Sequence, residues 1–305
     1  MRSFGPSSLV VCGLPSSGKT TYLAALWHLV QSQEIETQLT LQSLSYGDYE
    51  YLNAIRGRWL RGQKQIRTVG EAPRIGLDLR SRAGQEVNLL FLDHSGETFD
   101  QLWETRSCTD DVAEHLQQRS GVLLFLRSQG LKEPVPLSEI LELEREMNEA
   151  LPDDTDPPGE QTVTEVEWNA EDAPDQVKVV DLLQSLSNEF GMRRRQRLAI
   201  LVSAWDLVAN YETAEHFIRK RMPLLAQYLI SSTAHFDIRY FAVSAQGGEY
   251  LEGDPEGEYP EALAALLALD SPCKRIRLIH GATEEHDLTV PVAWLMSDNA
   301  ASGNE

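Results

Sequence analysis

Residues 8–24 read Ser8-Leu-Val-Val-Cys-Gly-Leu-Pro-Ser-Ser-Gly-Lys-Thr-Thr-Tyr-Leu-Ala24, and this stretch decides the fold. Ser8 to Cys12 is a short apolar run that stops at a glycine, as a buried strand does. Beyond the glycine, Leu23, Leu26, Trp27 and Val30 recur on one face of a helix. Between strand and helix, Gly13 to Thr20 matches GxxxxGK[ST]. The glycines let the backbone turn tightly enough to aim successive N–H groups at phosphate oxygens, at the N-terminus of the following helix. The expected nucleotide-binding set is therefore Gly13, Pro15, Ser16, Ser17, Gly18, Lys19, Thr20 and Thr21. Lys19 carries charge to the β- and γ-phosphates, and the Thr20 hydroxyl is a ligand for Mg²⁺.

A phosphate cradle alone does not distinguish a kinase, an ATPase and a switch. The next two strand-like runs, 74–79 and 87–92, are joined by only seven residues, too few for a helical crossover, so they are antiparallel neighbours. The second run ends in Asp93-His-Ser-Gly-Glu97. In open α/β sheets ligands gather at the carboxyl ends of strands, where the Asp93 carboxylate can hold Mg²⁺ through water and the Gly96 N–H can sense a γ-phosphate.

An antiparallel second strand before a DxxG element resembles the TRAFAC-class GTPases. More narrowly, GLPSSGKTTYLAALW, the pair Arg67-Thr68, FLDHSGETF and the closing DLTVPVAWLM look like the bacterial double-GTPase family of conflict and defence gene clusters. The resemblance covers nearly the whole chain except 131–176. It implies an α/β, three-layer P-loop NTPase fold like that of small GTPases, with a mainly parallel sheet and one antiparallel strand. It also implies that Thr68, 25 residues before Asp93, closes over Mg²⁺ and the γ-phosphate, while Arg67 acts as an arginine finger in cis; the plain alternatives are a loop threonine and a solvated arginine.

Two further strand ends match the family's base-recognition loops. Ser203-Ala-Trp-Asp206 stands where [NT]KxD is expected. The Asp206 carboxylate suits the guanine N1–H and exocyclic amine, which adenine does not present together. Ser203 replaces Asn or Thr, and Ala204 replaces the lysine whose stem covers the base. Trp205 either supplies that stacking or packs in the core. Ser244-Ala-Gln246 fits the short loop in which the Ala245 N–H meets guanine O6. After DxxG, Glu97 occupies the position of the water-orienting glutamine. It either positions water or forms an ion pair, and its negative charge beside the γ-phosphate implies slow hydrolysis.

The other bounds are compositional. The chain has 305 residues, 42% of them apolar, with formal charge −20, which opposes nucleic acid and anionic membrane surfaces as partners. Residues 131–176 hold fifteen acidic against two basic residues and read as a solvated, flexible insertion within one GTPase-like domain of residues 1–298; 299–305 reads as a frayed tail. Cys12, Cys108 and Cys273 lie far apart without ligand-spaced histidines, so neither disulfides nor zinc is implied by spacing. Together with the lack of an apolar leader, this reads as a cytoplasmic protein. The expectation is a GTP-binding switch that cycles between GTP and GDP with Mg²⁺. By the resemblance, its partner is a second GTPase or an effector, with a G-domain dimer possible in that family. An ATPase and a nucleotide-locked scaffold without turnover are the alternatives.

Overall fold

The computed structural model describes residues 7–65, 74–92, 97–135, 138–139, 141–142, 145, 169–188, 195–208, 211–249 and 259–297. Nine strands form one sheet: β1 (Ser7–Gly13), β2 (Leu39–Tyr46), β3 (Ile75–Ser81), β4 (Glu86–Phe91), β5 (Gly121–Arg127), β6 (Gln196–Ser203), β7 (Phe236–Ser244), β8 (Arg277–His280) and β9 (Thr283–Glu285). Their order is β2-β3-β4-β1-β5-β6-β7-β8-β9. β4, β1, β5, β6 and β7 run parallel, and β3 pairs antiparallel with β4, as the short connection between them requires. A second reversed strand, β8, pairs antiparallel with β7; the sequence suggests a strand there but not its direction.

Alternation along the strands builds two apolar layers. Leu9 and Val11 of β1 join Leu123, Phe125, Leu201 and Phe241 on one face. That face is covered by α1 (Lys19–Ser32), α2 (Tyr49–Leu60) and α9 (Val290–Met296). Val10 and Cys12 point the other way, with Leu124, Ile200 and Ala242. They lie under α3 (Glu97–Thr105), α4 (Asp110–Gln118), α5 (Asp175–Asn188), α6 (Ala214–Arg221) and α7 (Pro223–Ser231). Helices on both faces explain why the central strands read as continuous apolar runs. Each fully buried leucine or valine contributes about 1.5–3 kcal/mol relative to exposure. A short α8 (Glu261–Leu267) lies between β7 and β8 in the chain. No helix among the described residues is long and apolar enough to cross a membrane.

Local chemistry sets several boundaries differently from the sequence reading. A single helix over 212–229 is expected, but α6 and α7 are separate. Pro223 opens α7, and Met222 before it leaves the helical region at φ −136°, ψ 60°. Proline lacks an N–H and disfavours helical backbone in the residue before it. A loose helix from Tyr46 to Arg61 is expected as well. Tyr46 instead ends β2, and α2 starts at Tyr49 because the Asp48 side chain caps it, accepting from Glu50 N at 2.8 Å. The expected polar helix after Asp93 is two helices. Thr109 caps α4 through a hydrogen bond from Val112 N, and Arg106 at φ +56° marks the break.

Candidate functional site

The parallel strands end along one edge of the sheet. Gly13 stands beside Phe125, Arg127 beside Ser203, and Ser203 beside Val243. The sequence motifs at Gly13–Thr20, Ser203–Asp206 and Ser244–Gln246 therefore share an edge, as ligand sites in open α/β sheets do.

At β1 the chain leaves the sheet at Gly13 (φ +150°) and enters α1 through Gly18 (φ +90°). A Cβ on Gly13 would lie 2.7 Å from Phe125 O and 2.8 Å from Ser17 Oγ; one on Gly18 would lie 2.9 Å from Ser203 Cβ. Neither position has space or conformation for another residue. Gly18 is the N-cap of α1 and offers no side-chain cap, and the first turn carries no acid. The first backbone N–H groups are thus left to an anion, favoured there by the helix dipole. Lys19 is 2% exposed. Its Nζ donates to Gly13 O (2.7 Å), Leu14 O (2.9 Å) and Ser17 Oγ (3.4 Å), which folds the ammonium back over the loop. Thr20 and Thr21 are half-buried in the first turn. A threonine hydroxyl is the hard oxygen donor that Mg²⁺ favours, and the glycine cradle has the shape a phosphate chain needs.

At the other end of the edge, β6 stops at Ser203, Ala204 turns at φ +52°, and a 3-10 turn spans Trp205–Leu207. Ser128 Oγ, just past β5, donates to Ala204 O at 3.0 Å and holds this turn against its neighbour. Asp206 Oδ1 accepts a hydrogen bond from Ser244 Oγ, and Ser244 Oγ in turn accepts from Gly247 N at 2.9 Å. A hydroxyl used once as donor and once as acceptor has a fixed rotamer, and it fixes the carboxylate with it. Ala245 follows, and its carbonyl accepts from Trp59 Nε1 at 2.8 Å. Trp59 is fully buried and lies under the Arg275 guanidinium, 5.5 Å from the ring centroid, while Arg275 Nη1 donates to Leu60 O at 3.0 Å. Trp205 turns inward, edge-on to Phe217 at 6.2 Å, which is the core alternative for this residue.

Arg67, Thr68, Asp93 and Gly96 lie outside the described residues, as does the side chain of Glu97. The helix that Glu97 opens is described, and it is tied to α5 and to the 3-10 turn Ala170–Asp172 before it. Lys178 Nζ lies 3.6 Å from Asp100 Oδ1, Arg106 pairs with Asp181, and Trp103 Nε1 donates to Ala170 O at 2.9 Å. Burial raises the Asp100 carboxyl above its ordinary value, with Lys178 opposing the shift. Of the residues that support the two loops, motif reading finds Ser244 but neither Trp59 nor Ser128. A lone tryptophan 186 residues from Ala245 leaves no local pattern, and only Ser244 was marked by its motif.

A family model described as Double-GTPase 1 matches residues 10–295. No curated protein matches the chain. Similar solved structures include a bacterial selenocysteine-specific elongation factor, EF-Sec, at 11% identity over 80% of this chain and 27% of that one, TM-score 0.37. The S. cerevisiae Ski7 GTPase-like domain bound to GTP is 11% identical over 86% of this chain and 48% of its own, TM-score 0.39. The protein sup35 complexed with GDP is 12% identical over 80% and 39%, TM-score 0.31. The chain thus spans between 27% and 48% of the length of these structures.

Proposed function

The chain belongs to the Double-GTPase 1 family of GTP-binding P-loop proteins, and on that premise we propose that it is a Mg²⁺-dependent switch that slowly hydrolyses GTP to GDP and phosphate. The observation that carries this reading is one sheet edge holding both the glycine loop, with Lys19 folded over it, and the Asp206 carboxylate fixed by Ser244.

In this reading Gly13 to Thr21 wrap the triphosphate, and Lys19 exchanges its loop carbonyls for β- and γ-phosphate oxygens. Bound Mg²⁺ would neutralise charge developing on the phosphates, with Thr20, Thr68 and Asp93 as the residues that hold it. Asp206 accepts from the guanine N1–H and amine, and the Ala245 N–H donates to O6. Water attacks the γ-phosphorus as the bond to the β-phosphate oxygen breaks. Glu97 orients that water, Arg67 steadies the equatorial oxygens, and the Gly96 N–H reports the γ-phosphate. A carboxylate in place of a neutral amide beside that phosphate slows the step. Loss of the γ-phosphate then releases the loops around Thr68 and Gly96. The helix that follows passes the change to α5 through Asp100 and Arg106, and to the 3-10 turn before α5 through Trp103. A second GTPase or an effector in a bacterial conflict system is the partner this reading implies, in the cytoplasm.

Competition of labelled GTP with excess ATP, followed by phosphate release against a Lys19→Ala control, tests the proposal. Displacement by ATP as readily as by GTP makes the protein an ATPase-type site. Tight GTP binding without phosphate release above the control, with its partner present, makes it a nucleotide-locked scaffold.

A further inference from the structure

The far end of α1 carries a cluster that nucleotide binding does not use. Glu34, just beyond the Gln33 C-cap of α1, reaches the 3-10 turn Pro272–Arg275, where Ser271 Oγ donates to its Oε2. His28 is 3% exposed and Cys273 is fully buried. One donor atom from each of His28, Glu34 and Cys273 lies within 4.8 Å of the other two.

His28 Nε2 contacts the Glu34 carboxylate at 3.2 Å, with Oε1 off the line of an ideal hydrogen bond. A separation near 3.2 Å is what two ligands keep around a tetrahedral ion with bonds of about 2.0–2.1 Å. Imidazole, carboxylate and thiolate are also the donors that zinc-class ions take.

We infer that His28 Nε2, a Glu34 carboxylate oxygen and Cys273 Sγ form a binding site for a zinc-class divalent cation, open on the Glu34 side to a water as fourth ligand. Ser271 is then the outer partner that orients the Glu34 carboxylate. Cys273 would bind as its thiolate, so loading breaks the S–H bond, forms the S–metal bond and releases one proton to solvent. Arg56 opposes loading, because its Nε–H donates to His28 Nδ1 at 3.0 Å. That bond places the ring proton on Nε2, so it must open for Nε2 to bind a metal. The ion would tie the end of α1 to the turn before β8. With 14 residues in α1, the site lies about 20 Å from the phosphate loop, separate from any Mg²⁺ there.

Titration of the nucleotide-free, chelator-treated chain with Co²⁺ reads the site directly. One equivalent binds with a thiolate-to-cobalt charge-transfer band in the near ultraviolet, and Zn²⁺ displaces it. Cys273→Ser removes the band, whereas Cys108→Ser leaves it. Glu34→Gln, at an exposed position that leaves the core intact, weakens Co²⁺ binding by about tenfold or more, at least the loss expected for an outer-shell partner. Arg56→Ala tightens it. Absence of one-equivalent binding, or a band that survives Cys273→Ser, overturns the site and leaves the cluster as a polar cap on the Pro272–Arg275 turn. If Cys273→Ser does not fold, unchanged Co²⁺ affinity in Glu34→Gln overturns it.

Discussion

Ser244 Oγ donates to Asp206 Oδ1 while accepting from Gly247 N, so a residue of one loop sets the orientation of the carboxylate of another. Removing that hydroxyl frees the Asp206 side chain to rotate. A hydrogen bond to a charged group contributes about 1.5–3 kcal/mol when shielded, and Asp206 is only half-buried. Ser244→Ala should therefore weaken GTP binding by about tenfold, near the low end of that range, with ATP binding unchanged. Isothermal titration with both nucleotides checks this. Asp206→Asn turns one acceptor into a donor and should shift preference from guanine toward a base with a carbonyl at the 2-position; equal losses for every base would contradict the assignment of Asp206.

Gly18 meets Ser203 where the phosphate loop touches the base loop. Gly18→Ala places a Cβ 2.9 Å from Ser203 Cβ at φ +90°. The expected result is loss of GTP and GDP binding by about 100-fold or more, since a strained backbone of this kind costs about 1–3 kcal/mol beyond the clash. Adding Ser203→Gly removes the clash but not the strain, so it should restore affinity only in part. Full recovery would show that φ at residue 18 is not limiting.

Trp59 joins the helical layer to the Ala245 loop. Trp59→Phe keeps much of the apolar bulk and leaves Ala245 O without its donor. We expect a loss of about 1–3 kcal/mol in unfolding free energy and a reduced preference for guanine over adenine. Urea denaturation and nucleotide competition measure the two effects. A destabilised variant with unaltered preference would separate Trp59 from base recognition.

His28 gives metal-free protein a defined pH response. Its imidazole lies below the ordinary value of 6.5, mainly through burial, with Glu34 opposing and Arg56 and Arg275 reinforcing the shift. Below 6.5 the unfolded chain takes up a proton that the folded chain refuses, so stability present above that value is lost as pH falls toward the folded value. In chelator, urea midpoints measured from about pH 7.5 to 5.5 should decline for the wild type and decline less steeply for His28→Gln. Parallel curves would place the response at other groups, His115 among them, whose value is also lowered by burial.

The elements that the sequence made legible are those written in short windows. Ser8–Thr20 carries its strand, turn and helix start in consecutive residues, and the four residues between β3 and β4 forbid a crossover. The break at Pro223 is equally local, but apolar residues continue on both sides of it and mask it in the helical periodicity. Direction was harder: β8 needs its partner strand to define it, and its four residues have no connection length that forces antiparallel pairing. The altered base motif showed its aspartate but not how a loop lacking the usual lysine is held.

By itself the sequence determined the phosphate loop, the mainly parallel sheet and the strand-end loops at Ser203 and Ser244, because strand periodicity, glycine conformation and turn length act through neighbouring residues. Only the tertiary structure decided that Ser244 orients Asp206, that Trp59 holds Ala245, and that His28, Glu34 and Cys273 meet although 239 residues separate Glu34 from Cys273. Those contacts form between groups far apart in the chain that layer packing brings together, and their energies depend on burial and distance, which no local pattern encodes.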